Sequence, residues 1–235
     1  MQIKYKRNRQ ITASKQTILV QIKFNVRGSI RFLSHAETVR VFQRACVRAG
    51  IEMRYSQGFN PHPKLSLPLP RSVAVESDGD LLCIQVDCDP DEPQTTDYES
   101  RIKEALSMQM PGGLDLISVK VTEAKSAPQP RLAEYVLKVQ SKYLNEALKS
   151  RTKNLLEHKG LNIDRLINAD KSKIKSIDVR PFLKSIELEN TGIVVECIIS
   201  SAGSIRVQEI LELLGLDVGM LAAPIRRTNI QWQEI

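Results

Sequence analysis

Residues 18–26 alternate between apolar and polar side chains, and this pattern constrains the fold more than any other part of the sequence. A period of two is typical of a half-buried β-strand. One face would carry Ile18, Val20, Ile22, Phe24 and Val26, and the other Gln21, Lys23 and Asn25. The chain therefore needs a hydrophobic core on one side of an early strand.

A helix is predicted directly after this strand. Ser34 and Glu37 have the spacing of a capping box, in which each side chain satisfies a free backbone amide. Gly50 is typical of the position just after a helix end. Arg40, Arg44 and Arg48 share one face of this helix. That face is either an ordinary solvated surface or a phosphate-binding one.

The remaining patterns predict two cycles of the same element order. In the first cycle, strands at 72–75 and 81–87 are separated by a turn at 77–80, and a helix starting at Thr96 and a strand at 114–121 follow. In the second, a strand at 133–139 precedes a helix at 144–158, a hairpin at 183–199, a helix capped by Ser204 and a strand at 225–232. The order β-α-β-β-α-β is that of the ferredoxin-like fold. We therefore predict an α+β protein of two tandem ferredoxin-like (βαββαβ) domains with antiparallel sheets.

The predicted domain boundaries follow from composition. Residues 1–16 carry five Lys or Arg and no acid, which indicates a disordered basic tail. Residues 17–123 form the first domain, and 124–130, with two prolines, form a linker. Residues 131–235 form the second, looser domain. A further basic segment, 149–184, holds ten Lys or Arg against four acids, within a net charge of +7.

Other features exclude whole classes of protein. No apolar run approaches the roughly 18 residues of a membrane helix, and no secretory signal is recognisable. The four cysteines are scattered without C-x-x-C spacing, which favours reduced thiols in a cytoplasmic protein. We find no Walker loop and no G-x-G-x-x-G motif, so no cofactor is predicted. Two histidines without a carboxylate at ligand spacing give no metal site.

The loop at 55–70 is the main candidate for function. A sixteen-residue loop is long enough to fold back along the preceding helix, whose first amides attract anions. Phe59 with polar neighbours is typical of single-stranded nucleic-acid binding. The alternative is that the prolines form a rigid turn and Phe59 fills the core. The candidate substrate-binding residues here are Arg31, His35, Arg40, Ser56, Gln57, Phe59, Asn60, His62 and Lys64.

A second group of candidates lies in the other half of the chain. Arg180, Ser204, Arg206 and Arg227 would form a phosphate pocket if they converge. The alternative is that Arg180 pairs only with a nearby acid and takes no part in such a pocket.

Three strings in the first half carry a family resemblance. They are residues 30–35 (Ile-Arg-Phe-Leu-Ser-His), 48–50 (Arg-Ala-Gly) and 55–63 (Tyr-Ser-Gln-Gly-Phe-Asn-Pro-His-Pro). They closely resemble the uncharacterised bacterial radical-SAM-linked proteins, which occur alone or C-terminal to B12-binding radical SAM proteins. Weaker likeness at 177–181, 203–206 and 227–228 extends the resemblance over about 18–230. Where relatives tend to have Ser-His-Leu-Asp, this chain has Ser-His-Ala-Glu, and both keep the capping acid.

The resemblance implies a radical SAM partner but no assigned catalytic residues. With the loop and the basic segment, it leads us to expect an accessory, substrate-binding protein, with RNA as the substrate, that works with a radical SAM enzyme. One alternative is a stand-alone enzyme acting on a phosphorylated small molecule in an inter-domain cleft, with His35 or His62 as acid or base. The other is a protein-interaction module that docks the radical SAM partner.

Overall fold

The computed structural model describes residues 16–88, 96–124, 126–166 and 174–233. The first half contains β1 (Gln16–Val26), α1 (His35–Arg48), β2 (Leu65–Ser66), β3 (Glu76–Cys88), α2 (Thr96–Ser107) and β4 (Leu114–Thr122). The second half contains β5 (Gln129–Lys138), α3 (Glu146–Glu157), β6 (Asn162–Leu166), β7 (Ile174–Asp178), β8 (Leu183–Glu189), β9 (Gly192–Ile198), α4 (Val207–Leu214) and β10 (Arg226–Gln233). Residues 1–15 of the predicted basic tail lie outside the described residues.

The two halves share one mixed sheet instead of forming two separate antiparallel ones. Its strands lie in the order β4-β1-β3-β10-β5-β9-β8, and β2 pairs with β3 outside this path. The described pairings are antiparallel except that of β10 with β3, which is parallel and joins Arg226 to Glu76 and Arg227 to Ser77. Strands β6 and β7 form a separate two-stranded sheet.

The alternating pattern of the first strand is confirmed. All five apolar residues predicted for its inner face are at most 1% exposed. They form a core with residues of α1 and α2, among them Phe42 and Leu106. No helix of the described ranges is both long and apolar enough to cross a membrane.

The predicted limits of α1 are also confirmed. The Ser34 backbone amide donates to the Glu37 carboxylate at 2.8 Å, and the Ser34 hydroxyl accepts from the Glu37 amide at 3.3 Å. At the other end, Gly50 has a φ of 70°, a left-handed conformation that costs glycine little. The capping box therefore starts the helix and the glycine ends it.

The helices cover one face of the sheet. A row of paired residues crosses that face from Val26 through Ser77, Arg227 and Tyr135 to Val195. Each of these side chains is buried. Val26 belongs to the core that α1 and α2 complete, and Tyr135 and Val195 belong to the core that α3 and α4 complete. The opposite face therefore carries no helix among the described elements.

Three local predictions are wrong. Residues 77–80 are not a turn between strands but a bulged part of β3, where Gly79 has a φ of 85° and donates to the Asn25 side chain. Residues 72–75 do not form the predicted strand, and the second strand is instead the two-residue β2. Ser204 does not cap α4, because Arg206 precedes that helix and its amide donates to Glu209 at 2.8 Å.

Candidate functional site

Residues 53–66 form a narrow hairpin alongside β3. The Arg54 amide donates to the Gln85 carbonyl at 2.7 Å, and the Gln85 amide donates to the Lys64 carbonyl at 2.9 Å. Within the hairpin, the Lys64 amide donates to the Arg54 carbonyl at 2.7 Å. Both arms are thus held by backbone hydrogen bonds, and we call residues 56–62 the tip loop.

The tip loop is closed by Ser56 and His62. The Ser56 amide donates to the His62 carbonyl at 2.8 Å, and the His62 amide donates to the Ser56 hydroxyl at 2.9 Å. Just below, Tyr55 pairs with Pro63. Because the base is hydrogen-bonded in this way, residues 57–61 are presented on a defined support.

Phe59 projects into solvent from this loop. Its relative exposure is 106%, the highest among the exposed large hydrophobic residues of the described chain. The alternative that Phe59 fills the core is therefore wrong. Gln57, Asn60 and His62 are exposed beside it, so an aromatic ring and polar side chains are available to the same ligand.

The hairpin lies against the C-terminal half of α1. A groove of about 400 Å³ is lined by Arg44, Val47 and Arg48 from the helix and by Tyr55 and Pro63 from the hairpin, among others. Val47 is 64% exposed and Tyr55 is 44% exposed, so the groove has an apolar component.

The arginine face of α1 is solvated. Arg40, Arg44 and Arg48 are all exposed. Arg48 bonds the Gln109 carbonyl at 2.9 Å. Arg40 and Arg44 make no hydrogen bond or ion pair with the described residues, and neither does the ammonium of Lys64. Arg44 and Lys64 are thus two cations near the hairpin that are available to an anionic partner.

The two candidate histidines are associated with different parts of α1. His35 is the first residue of the helix and lines a recess of only about 10 Å³ with Leu67, Leu69 and Arg71. His62 closes the tip loop, whose base lies by the C-terminal half of the helix. The helix is about 20 Å long at 1.5 Å per residue. The loop thus folds back along α1, but residues 67–71 contact its N-terminal end and the histidine-bearing hairpin contacts its other end.

Arg31 is held by its own segment. Its guanidinium donates to the Gly28 carbonyl at 2.7 Å and lies 4.3 Å from the centre of the Phe32 ring. Phe32 is itself 53% exposed. This pair forms a separate cationic and aromatic surface before α1.

The candidates of the second half do not form one pocket in the described structure. The Arg180 guanidinium donates to the carbonyls of Leu156, His158 and Leu183 at 2.8–3.2 Å, so it holds backbone segments together. The Ser204 carbonyl accepts from Arg165 at 2.8 Å. Arg206 is exposed beside Glu209.

Arg227 is the central residue of a buried cluster that sequence reasoning missed. It is 1% exposed and donates to Asp80 at 2.8 Å. Arg71 is close to the same carboxylate, with 3.9 Å between Nε and Oδ2. The Ser77 hydroxyl bonds Asp80 as well. Asp80 gave no signal because it occupied a predicted turn, where an aspartate is ordinary.

These residues have a structural role that the sequence pattern left unassigned. Arg71 also donates to the carbonyls of Arg31 and Val75, at 2.8 and 2.6 Å. The cluster therefore joins the segment before α1, the end of the long loop, β3 and β10.

One comparison with known proteins identifies the family. The sequence profile of a bacterial family described as "Uncharacterized protein conserved in bacteria (DUF2344)" matches residues 20–210. The chain belongs to this family. The search of curated proteins found no match. The matched range includes α1, the hairpin and the arginine-bearing segments up to α4.

Proposed function

We propose that this member of the DUF2344 family is an accessory RNA-binding protein that works with a radical SAM enzyme. The observation that carries the RNA-binding part is the complete exposure of Phe59 on a hydrogen-bonded hairpin. A fully exposed phenyl ring gives the folded chain no hydrophobic stabilisation. A ring presented this way stacks readily on an unpaired base. RNA recognition targets such unpaired bases.

The side chains around Phe59 suit a single-stranded ligand. Gln57 and Asn60 supply amide donors and acceptors for the edges of a base. Arg44 and Lys64 supply positive charge for phosphates, and neither is engaged by a carboxylate of the described residues. The basic segment 149–184 adds charge elsewhere on the chain.

Two further parts of the proposal have their own support. The radical SAM partner is supported by the resemblance at residues 30–35 and 55–63. We also propose that each half is a ferredoxin-like unit. Its support is the strand order of the sheet. If β1, β2, β3 and β4 of the first half and β5, β8, β9 and β10 of the second are each numbered first to fourth, both halves have the order fourth-first-third-second.

Filter binding of an unstructured RNA oligonucleotide at graded salt tests the RNA-binding part. Phe59→Ala is expected to weaken binding by roughly 5- to 150-fold, since base stacking contributes about 1–3 kcal/mol. Val218→Ala is the matched control, because Val218 is 72% exposed and lies in the other half. Arg44→Ala should lower the salt slope by about 0.7 if one phosphate contact is lost.

Two results would overturn this part of the proposal. One is the absence of RNA binding by the unmodified chain at low salt. The other is equal affinity for Phe59→Ala and Val218→Ala.

A protein-docking module is the second candidate function. The observation that favours it is the groove beside Tyr55, with exposed Val47 and an arginine rim. Pull-down with the radical SAM partner after nuclease treatment separates the two. Retention of the partner would support direct docking, and loss of the partner would support bridging by RNA.

A further inference from the structure

The helix-free face of the sheet carries a recess beside the chain's single tryptophan, Trp232. Its volume is about 210 Å³. Pockets that enclose drug-sized ligands begin at roughly 300 Å³, so a ligand of that size would lie partly outside this recess. The residues that line it include Gln21, Lys23, Leu81, Ser118, Lys120 and Trp232.

The recess arises from the way β10 separates from β3. The two strands pair only at Arg226 and Arg227. Asn229 then has a φ of 47°, and the register of β10 against β5 shifts. Trp232 consequently packs on the cluster of Leu19, Leu81 and Cys83 on the helix-free face. The space beside it is bounded by the polar residues of β1 and β4.

The lining is positively charged. Lys23 and Lys120 belong to it, and none of the lining residues is a carboxylate. Lys23 makes no hydrogen bond or ion pair with the described residues, and it is exposed. An anionic group bound between these strands would therefore meet a cation without displacing an internal partner.

The indole N–H of Trp232 is an unusual donor. Nε1 is buried and has no acceptor among the residues that the structure describes. A buried donor is out of reach of a ligand in the recess, which would instead contact other atoms of the indole.

We infer that this recess binds a nucleotide. The base would lie against the indole, whose flat apolar surface suits any nucleobase. The phosphate would lie near Lys23, and Gln21 and Ser118 would offer hydrogen bonds to polar atoms. This site lies on the opposite face of the sheet from α1, so it goes beyond the proposed function and does not depend on Phe59.

Intrinsic fluorescence tests the site directly, because Trp232 is the sole tryptophan. The full chain is titrated with adenosine 5′-monophosphate, and free N-acetyltryptophanamide provides the baseline for collisional quenching. We expect saturable quenching beyond that baseline and a weaker response to adenosine. Lys23→Met should raise the dissociation constant by up to about fivefold, as expected for an exposed charge contact. Lys149→Met, at another exposed lysine, should leave it unchanged.

The outcomes distinguish this inference from the proposed function. Quenching no greater than the baseline would overturn the nucleotide site, even if RNA binding through Phe59 is found. Equal effects of Lys23→Met and Lys149→Met would also overturn it. Saturable quenching that Phe59→Ala leaves intact would support the site, even if filter binding fails.

Discussion

Nη2 of Arg227 donates a 2.8 Å hydrogen bond to Oδ1 of Asp80, across 147 residues of sequence. The same guanidinium donates to the carbonyls of Pro70 and Leu69 at 2.9 and 3.2 Å. The contact therefore joins β10 to β3 and to the end of the long loop. It lies at the only parallel pairing among the described strands.

Arg227→Met should destabilise the protein by about 3–5 kcal/mol. Removing one partner of a buried ion pair leaves a desolvated charge, and Asp80 is only 5% exposed. Arg71 lies 3.9 Å from the carboxylate and does not replace the lost hydrogen bond. Equilibrium unfolding in urea measures the difference in free energy.

The neighbouring arginine provides the control for this substitution. Arg226 is partly exposed and pairs with Asp78 at 3.5 Å on the surface. Arg226→Met should therefore cost less than about 1 kcal/mol. Equal losses from the two variants would contradict a structural role specific to the buried pair.

Phe59→Ala should leave the free energy of unfolding within about 0.5 kcal/mol of the original value, because its ring is fully exposed. Phe42→Ala should cost about 3–5 kcal/mol, because that ring is 0% exposed and packs on Phe24 with 4.8 Å between ring centres. Thermal or chemical denaturation measures both. A large loss from Phe59→Ala would mean that the ring supports the fold.

Cys46, Cys83 and Cys197 should resist alkylation in the native protein at pH 8. Burial raises the pKa of each thiol from an ordinary 9.0 to about 12, so almost no thiolate forms at that pH. Peptide-resolved mass spectrometry after iodoacetamide treatment checks each site, with urea-unfolded protein as the positive control. Rapid native labelling of Cys46 would contradict the burial of its side chain.

The same thiols give a prediction for alkaline pH. Because their folded pKa values are raised, the unfolded chain releases protons first as the pH rises. Their contribution to stability is complete below pH 9 and is lost as the pH rises from about 9 to about 12. Urea midpoints across this range should fall, and Cys197→Ala should reduce the slope.

Ser34→Ala should lower stability by about 1 kcal/mol through the loss of the α1 cap. The hydrogen bonds from the Ser34 side chain and backbone lower the pKa of Glu37 from 4.5. The stability contributed by this ionised carboxylate is thus present above pH 4.5 and is lost as the pH falls through the lowered folded pKa. Denaturation between pH 7 and 3 should show a smaller loss on acidification for Ser34→Ala. Ser29→Ala, at an exposed serine before the helix, is the control.

Local signals predicted much of the fold because they depend on near neighbours. The period of two in β1 and the pairing of Ser34 with Glu37 need only a few residues, and both were confirmed. The hairpin of β8 and β9 was likewise expected from its turn. Such features require no knowledge of distant strands.

Long-range features could not be predicted in the same way. Residues 77–80 have turn composition, yet Asn25 and Arg27 of the adjoining segment hold them in an extended, bulged strand. The position of β2 depends on its pairing with Ile84 and Cys83 rather than on its own two residues. Trp232 gave no signal of function, because its environment is formed by β1, β3 and β4.

The tip loop illustrates an intermediate case. Its composition indicated an irregular, polar segment, and the exposure of Phe59 agrees with one of the two interpretations made from sequence. The separation of His35 from His62 along α1 could not be read from composition. It follows from the pairing of the hairpin with β3 beside the end of the helix.

The short parallel contact between β10 and β3 has a consequence for biosynthesis. The first half of the sheet is complete in sequence long before β10 emerges from the ribosome, so the β3 edge near Ser77 stays unpaired during translation. An unpaired edge invites association with other nascent chains. Pairing of β10 at Arg226 and Arg227 covers that edge, so this part of the sheet is protected only once β10 has been made.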